Sequence, residues 1–200
     1  MKFRKSIMMA VAALGITAVL GGTSAFAATY YHTHGFAKSA VSVNYWKDSS
    51  VASYGYTGLA DTGIDSWRNI TDNLTINEKT SEPTYFSIVT YVGNTISGMD
   101  VYGVVDHWTY GLFGWTQVNP DNLRDRARVR MDHTNLKSLG SDSTGYALKK
   151  YAFVHEFGHA VGLKHNNSGV ASVMSESISS STNTPQITDK TYLKEKYGDN

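Results

Sequence analysis

Residues His155-Glu156-Phe157-Gly158-His159-Ala160-Val161-Gly162-Leu163-Lys164-His165 place three histidines, a glutamate and a glycine at the spacing HExxHxxGxxH. His155 and His159 are four residues apart, so on an α-helix their imidazoles leave one face, one turn apart. Two donors are then fixed by one rigid element. Zinc favours tetrahedral coordination by imidazole nitrogens at about 2.0–2.1 Å, and a catalytic site keeps one position for water, which calls for a third protein ligand. His165 is the candidate. A continuous helix would carry it to another side, so the chain must turn sharply, and Gly162 can adopt the positive φ that the turn needs. Glu156 follows the first ligand and stays beside the open position, where a carboxylate accepts a proton from water and hands it to a leaving amine. It is therefore assigned as catalytic base and not as a ligand. Shuffling this composition produces the eleven-residue pattern in roughly one chain in 10⁵. The competing reading, a buried helix with satisfied core histidines, would bury three polar rings together with nothing to bind.

At these residues the sequence resembles the metzincin clan of zinc endopeptidases, whose signature is followed by a methionine-containing turn beneath the metal. Met174, in Val173-Met174-Ser175 nine residues past His165, stands where that turn is expected. Position gives it the role, since a methionine after an apolar residue is otherwise core filler. The ending Thr188-Asp189-Lys190-Thr191-Tyr192-Leu193-Lys194-Glu195-Lys196-Tyr197-Gly198 is similar to the closing helix of matrixin-type catalytic domains. The resemblance is sharp over residues 144–198 and only architectural before that. It implies an α/β (α+β) zincin fold: a twisted, mostly parallel sheet of about five strands, an active-site helix, a methionine turn and a C-terminal helix. It also implies one catalytic Zn²⁺ and a peptide substrate bound extended along a sheet edge.

Residues 1–27 read as a secretory signal peptide, with Lys2, Arg4 and Lys5 before an apolar run from Ile7 to Leu20 and Ala25-Phe26-Ala27 as the cleavage site. The apolar run is shorter than the roughly 20 residues that span a bilayer, so a membrane anchor is not expected in the mature form. Residues 28–200 then form a single catalytic domain of 173 residues, expected to be extracellular and monomeric. The chain has no cysteine, so neither a disulfide framework nor a thiolate that blocks the metal is available. Of 18 Lys and Arg, three leave with the signal, and the remaining 15 against 17 Asp and Glu give a net charge of −2. That balance argues against nucleic acid or an anionic membrane surface as partner.

Alternation predicts strands at 40–46, 74–76, 84–92 and 127–132, and helical spacing of Leu59 or Ala60, Ile64 and Trp67 predicts a helix near 58–67. The glycine- and aromatic-rich stretch 93–126 offers one or two short strands, near 103–108 and 112–118, and which of them borders the cleft stays open. Asp142 and Ser143 are caps for a helix running to about Leu163. On it, Ala147, Tyr151, Val154, Gly158 and Val161 are expected to meet the sheet, with Leu148, Ala152, His155 and His159 on the cleft floor. Residues 175–184, rich in Ser and Thr, read as a surface loop, where the resembled family lines a specificity pocket.

Four further histidines remain. Matrixin-type relatives hold a second, structural zinc and calcium, but the spaced histidines and acidic loop for these are not evident between 93 and 135. A second Zn²⁺ through His107 or His133, or structural Ca²⁺, is therefore not supported, and His32 and His34 read as part of a flexible start. Two other functions stay open at this stage: a secreted zinc-binding module without activity, and a zinc peptidase acting on cell-wall peptides.

Overall fold

The computed structural model describes residues 29–36, 41–94, 96 and 101–198. The signal segment proposed for residues 1–27 lies outside them.

Six strands form one mixed sheet: β1 (Val41–Lys47), β2 (Leu74–Glu78), β3 (Ser87–Gly93), β4 (Gly103–Gly111), β5 (Gly114–Val118) and β6 (Arg126–Asp132), in the spatial order β2-β1-β3-β6-β4-β5. The pairs β1/β2, β1/β3 and β3/β6 are parallel, and β4 runs antiparallel to both β6 and β5. The sheet is α/β in class and mostly parallel, and both of the short strands offered for 93–126 are present. They pair as a hairpin, whose glycines at 111 and 114 flank the turn. Central β3 carries Ile88, Val89 and Val92, all buried, as a strand covered on both faces requires.

Two helices precede β2, α1 (Ser49–Ser53) and α2 (Thr57–Asp65); α3 (His133–Ser138) follows β6, then α4 (Ser143–Ala160) and α5 (Ile187–Tyr197). Asp142 caps α4 by accepting from the Gly145 N–H at 2.8 Å. The helix ends three residues before the predicted Leu163, because the turn that the sequence assigns to Gly162 begins earlier. The Leu163 N–H returns to the Gly158 carbonyl at 2.9 Å and the Gly162 N–H to the His159 carbonyl at 3.0 Å, a Schellman closure with Gly162 at φ +106°.

Contacts of α4 correct the expected orientation. The face bearing Tyr151, Val154, Gly158 and Val161 meets the methionine turn, Trp67 and α5: Tyr151 donates to the Ser175 carbonyl, Trp67 Nε1 to the Val154 carbonyl at 2.8 Å, and the Tyr197 hydroxyl to the Val161 carbonyl at 2.8 Å. The sheet is met instead by Phe157, edge-on to Tyr45 of β1 at 5.6 Å, and by Glu156, which lies against Gly103 of β4. Residues 151–158 are all buried, so this half of the helix carries no exposed polar stripe to orient it from sequence. Gly63 lets α2 approach, because a Cβ there would lie 2.8 Å from the Phe157 ring. Trp67, fully buried between these elements, contributes on the order of 1.5–3 kcal/mol by burial of its apolar surface.

The start of the described chain is docked, not free. The Lys164 N–H donates to the Tyr30 carbonyl and the His32 N–H to the Gly162 carbonyl, both at 2.8 Å, so residues 30–32 pair with the turn leading to His165. His32 Nδ1 lies 3.0 Å from Asp121 Oδ1, and Lys196 Nζ donates to the His32 and His34 carbonyls at 2.6 and 2.8 Å. Fully buried Arg124, which sequence reasoning passes over, donates to the Ala160 carbonyl at 2.8 Å. There it satisfies one of the orphan acceptors at the end of α4.

Candidate metal centre

The three Nε2 atoms of His155, His159 and His165 converge, with separations of 3.1 Å (155–159), 3.2 Å (155–165) and 3.0 Å (159–165). Tetrahedral zinc with bonds of about 2.05 Å would set its ligand nitrogens about 3.3 Å apart, close to what the rings already show. Among the described residues, this is the one group of three or more His, Cys, Asp or Glu side chains whose ligand atoms come within 4.8 Å of one another.

The outer ring nitrogens fix the tautomers. His155 Nδ1 faces the Val173 carbonyl at 2.8 Å and His159 Nδ1 the Leu163 carbonyl at 2.9 Å. A carbonyl only accepts, so each Nδ1 carries the proton and each Nε2 points a lone pair inward. Burial holds both rings below the ordinary histidine range, His155 to about 4, which keeps them neutral. Three inward lone pairs about 3 Å apart repel one another unless a cation sits between them. The donor set thus fits zinc by number, type and geometry.

The support beneath the rings comes from segments distant in sequence. Buried Asp189 of α5 accepts from Ser172 Oγ, from the Val173 N–H at 2.9 Å and from the Gln186 N–H at 2.8 Å. The carbonyl of the same residue, Val173, accepts from His155, so a carboxylate on α5 steadies the first ligand through one residue. Met174 lies under Gly158, where any Cβ would collide with its sulfur, and its carbonyl accepts from the Asn166 N–H at 2.8 Å. Sequence reasoning did not single out Asp189; its place three residues after Gln186, in a capping box, was the local signal.

Glu156 shares the cleft with the three rings and lies against Gly103 of β4. A Cβ on Gly103 would sit 2.6 Å from its Cγ and 2.8 Å from Met131 Sδ, so β4 approaches α4 only because residue 103 lacks a side chain. Burial raises the Glu156 carboxyl to about 8, from an ordinary 4.5.

The cleft, of about 540 Å³, is lined by residues 101–105, Tyr151, Ala152, the three histidines, Glu156, Ser175, Glu176 and Ile178. β6 pairs with β4 over Gly103–Trp108, but β5 pairs only with His107–Gly111, so Gly103–Asp106 have a neighbour on one side alone. This answers which strand of 93–126 borders the cleft: it is β4. His107 is buried at 3% exposure and lies apart from the cluster, with Nδ1 lacking a hydrogen-bond partner. His133, at the start of α3, packs between the Tyr54 and Tyr56 rings.

No protein-family model and no curated protein matches the sequence. Among solved structures the chain is similar to the GM1-bound form of the ECX AB5 holotoxin, with TM-score 0.50 and 13% identity over 78% of this chain and 80% of that one. It is also similar to myroilysin (TM-score 0.47, 15% identity, 80% and 94% covered) and to an archaemetzincin of Methanopyrus kandleri (TM-score 0.46, 14% identity, 79% and 96% covered). The first likeness, at 13% identity, is one of fold and carries nothing about activity.

Proposed function

We propose that the chain is a secreted, zinc-dependent endopeptidase of the metzincin type, with His155, His159 and His165 holding the ion and Glu156 moving the proton. The observation that carries this reading is the convergence of three Nε2 lone pairs beside a buried carboxylate that shares their cleft. Zinc held there would supply Lewis acidity toward a water and a carbonyl at neutral pH.

The remaining steps belong to the protein's own groups. An extended peptide adds to the unpaired half of β4 by main-chain hydrogen bonds, which aligns its scissile bond along the cleft. Glu156 takes a proton from the attacking water at a carboxylate oxygen and delivers it to the departing amine. No covalent attachment to the protein is needed. Buried Tyr151, stacked on His155 at 5.6 Å, and Ala152 exclude water from that end of the cleft. Within the clan, the matrixin-type reading rests on the position of Met174 and on α5 closing at Tyr197-Gly198, and the extracellular location rests on residues 1–27.

The test is digestion of a peptide library by the purified mature chain, with and without a chelator, followed by zinc analysis of variants. E156A should keep its zinc and lose hydrolysis, and H165A should lose zinc on dialysis. A Glu156→Ala variant that still cleaves, or a wild-type chain that retains no zinc, overturns the proposal.

A further inference from the structure

Two of the three rings are oriented by backbone carbonyls, and the third is not. His165 is exposed and sits beyond the Gly162 turn, with no helix to hold it. Its Nδ1 lies 3.0 Å from Glu176 Oε1, a carboxylate two residues past Met174. Glu176 is itself placed: its N–H donates to Asn167 Oδ1 at 3.2 Å, while the Asn166 N–H donates to the Met174 carbonyl at 2.8 Å. These two bonds clamp the residues just after His165 to the residues just after the methionine. The carboxylate is thereby presented to the ring from a fixed backbone.

We propose that Glu176 is a positioning residue for the metal centre, accepting the Nδ1–H of His165 and so fixing the tautomer that turns the Nε2 lone pair toward His155 and His159. The inference rests on the zinc reading given above. An exposed ion pair contributes little to folding, so the contact is not explained by stability: the side chains are 42% and 61% exposed. What the bond decides is which ring nitrogen is free. With no acceptor at Nδ1, an exposed imidazole samples both tautomers and several rotations, and only one arrangement offers Nε2 to the ion. His155 and His159 need no such partner, because Val173 and Leu163 already perform that role. Glu176 also lines the cleft and the adjoining cavity of about 540 Å³ under residues 166–182, so it joins the loop after the methionine turn to the third ligand.

The experiment is zinc titration of the metal-free mature chain in competition with a chromophoric chelator, for wild type, E176A, E176Q and H155A, with the Co²⁺ absorption spectrum as a second readout. E176A should bind Zn²⁺ about 10–100-fold more weakly, the usual effect of removing an outer partner of a ligating histidine. E176Q keeps an acceptor oxygen and should stay within about threefold of wild type, with a wild-type Co²⁺ band that E176A lacks. The metal-free forms should unfold at the same midpoint, and E176S provides a second truncation should E176A fold poorly. Wild-type affinity in E176A, or an equal loss in E176Q and E176A, overturns the assignment. A wild-type chain that binds Zn²⁺ no better than H155A would instead overturn the zinc reading itself.

Discussion

Substituting Gly103 by alanine tests whether β4 and Glu156 are as closely fitted as the structure shows. The added methyl would lie 2.6 Å from Glu156 Cγ, 3.0 Å from its Cδ and 2.8 Å from Met131 Sδ. Ordinary carbon contacts start near 3.4 Å, so the glutamate or the strand must move by about 0.8 Å to relieve the worst contact. Overpacking of this kind costs about 1–3 kcal/mol, which for a domain of this size lowers Tm by about 2–10 °C. Misplacing a proton-transferring group by about 1 Å costs on the order of 10²-fold in rate, or about 2.7 kcal/mol in the barrier. The three atoms nearest the added methyl belong to Glu156 and Met131 and not to a histidine, so zinc content should be unchanged. The assay is kcat/KM on a peptide from the library screen, with zinc analysis and a thermal melt of the same sample. A G103A protein with full zinc, wild-type Tm and wild-type kcat/KM would refute the claim that this approach positions the base.

Further expectations follow from the same contacts. Asp189→Ala leaves the donors of Ser172, Val173 and Gln186 without their buried acceptor, which should cost roughly 3 kcal/mol or more in urea unfolding and weaken zinc binding through Val173 and His155; a variant with normal stability and zinc affinity would remove Asp189 from the support of the site. Burial, with Arg124 and His32 nearby, holds His107 at about 2 against an ordinary 6.5, so the unfolded chain binds a proton there that the folded one refuses. Its share of stability is complete above about pH 6.5 and falls as pH drops, by up to about 1.4 kcal/mol per unit; unfolding free energies of wild type and His107→Leu measured from pH 7 to 4 should diverge, and parallel curves would contradict the burial. Zinc at about 100 times its dissociation constant should stabilise the fold by about 2.7 kcal/mol, raising Tm by about 5–10 °C over the chelator-treated protein. Identical melts would show that the ion is not bound by the native state.

Short-range rules account for what was legible beforehand. The α4 N-terminus follows from Asp142, the C-terminus from Gly162, and the strands at 41–47, 74–78, 87–93 and 126–132 from alternation or a continuous apolar run. Strands near 103–108 and 112–118 were legible too, but not that they pair as a hairpin whose first strand joins β6 and borders the cleft, because glycines and aromatics interrupt the alternation there. The reading failed where period and composition gave no signal. In α4 the residues 151–158 are all buried, so no exposed stripe could indicate that Gly158 faces Met174 while Phe157 faces the sheet. The N-terminal segment read as flexible because its partners, the turn at 162–164 and Lys196, lie more than a hundred residues away.

By itself the sequence determined the metal cluster's local geometry: the 3.6-residue period sets two imidazoles on one face, and a glycine permits the turn that returns the third. These are properties of a dozen consecutive residues: helical hydrogen bonds set the first two rings, and the glycine turn brings back the third. Only the tertiary structure decided what surrounds the cluster: Val173 behind His155, Asp189 behind Val173, Glu176 against His165, and Gly103 against Glu156. These partners are brought together by the packing of β4, α4, the methionine turn and α5 around a common core, and contacts made across that core leave no period in the chain.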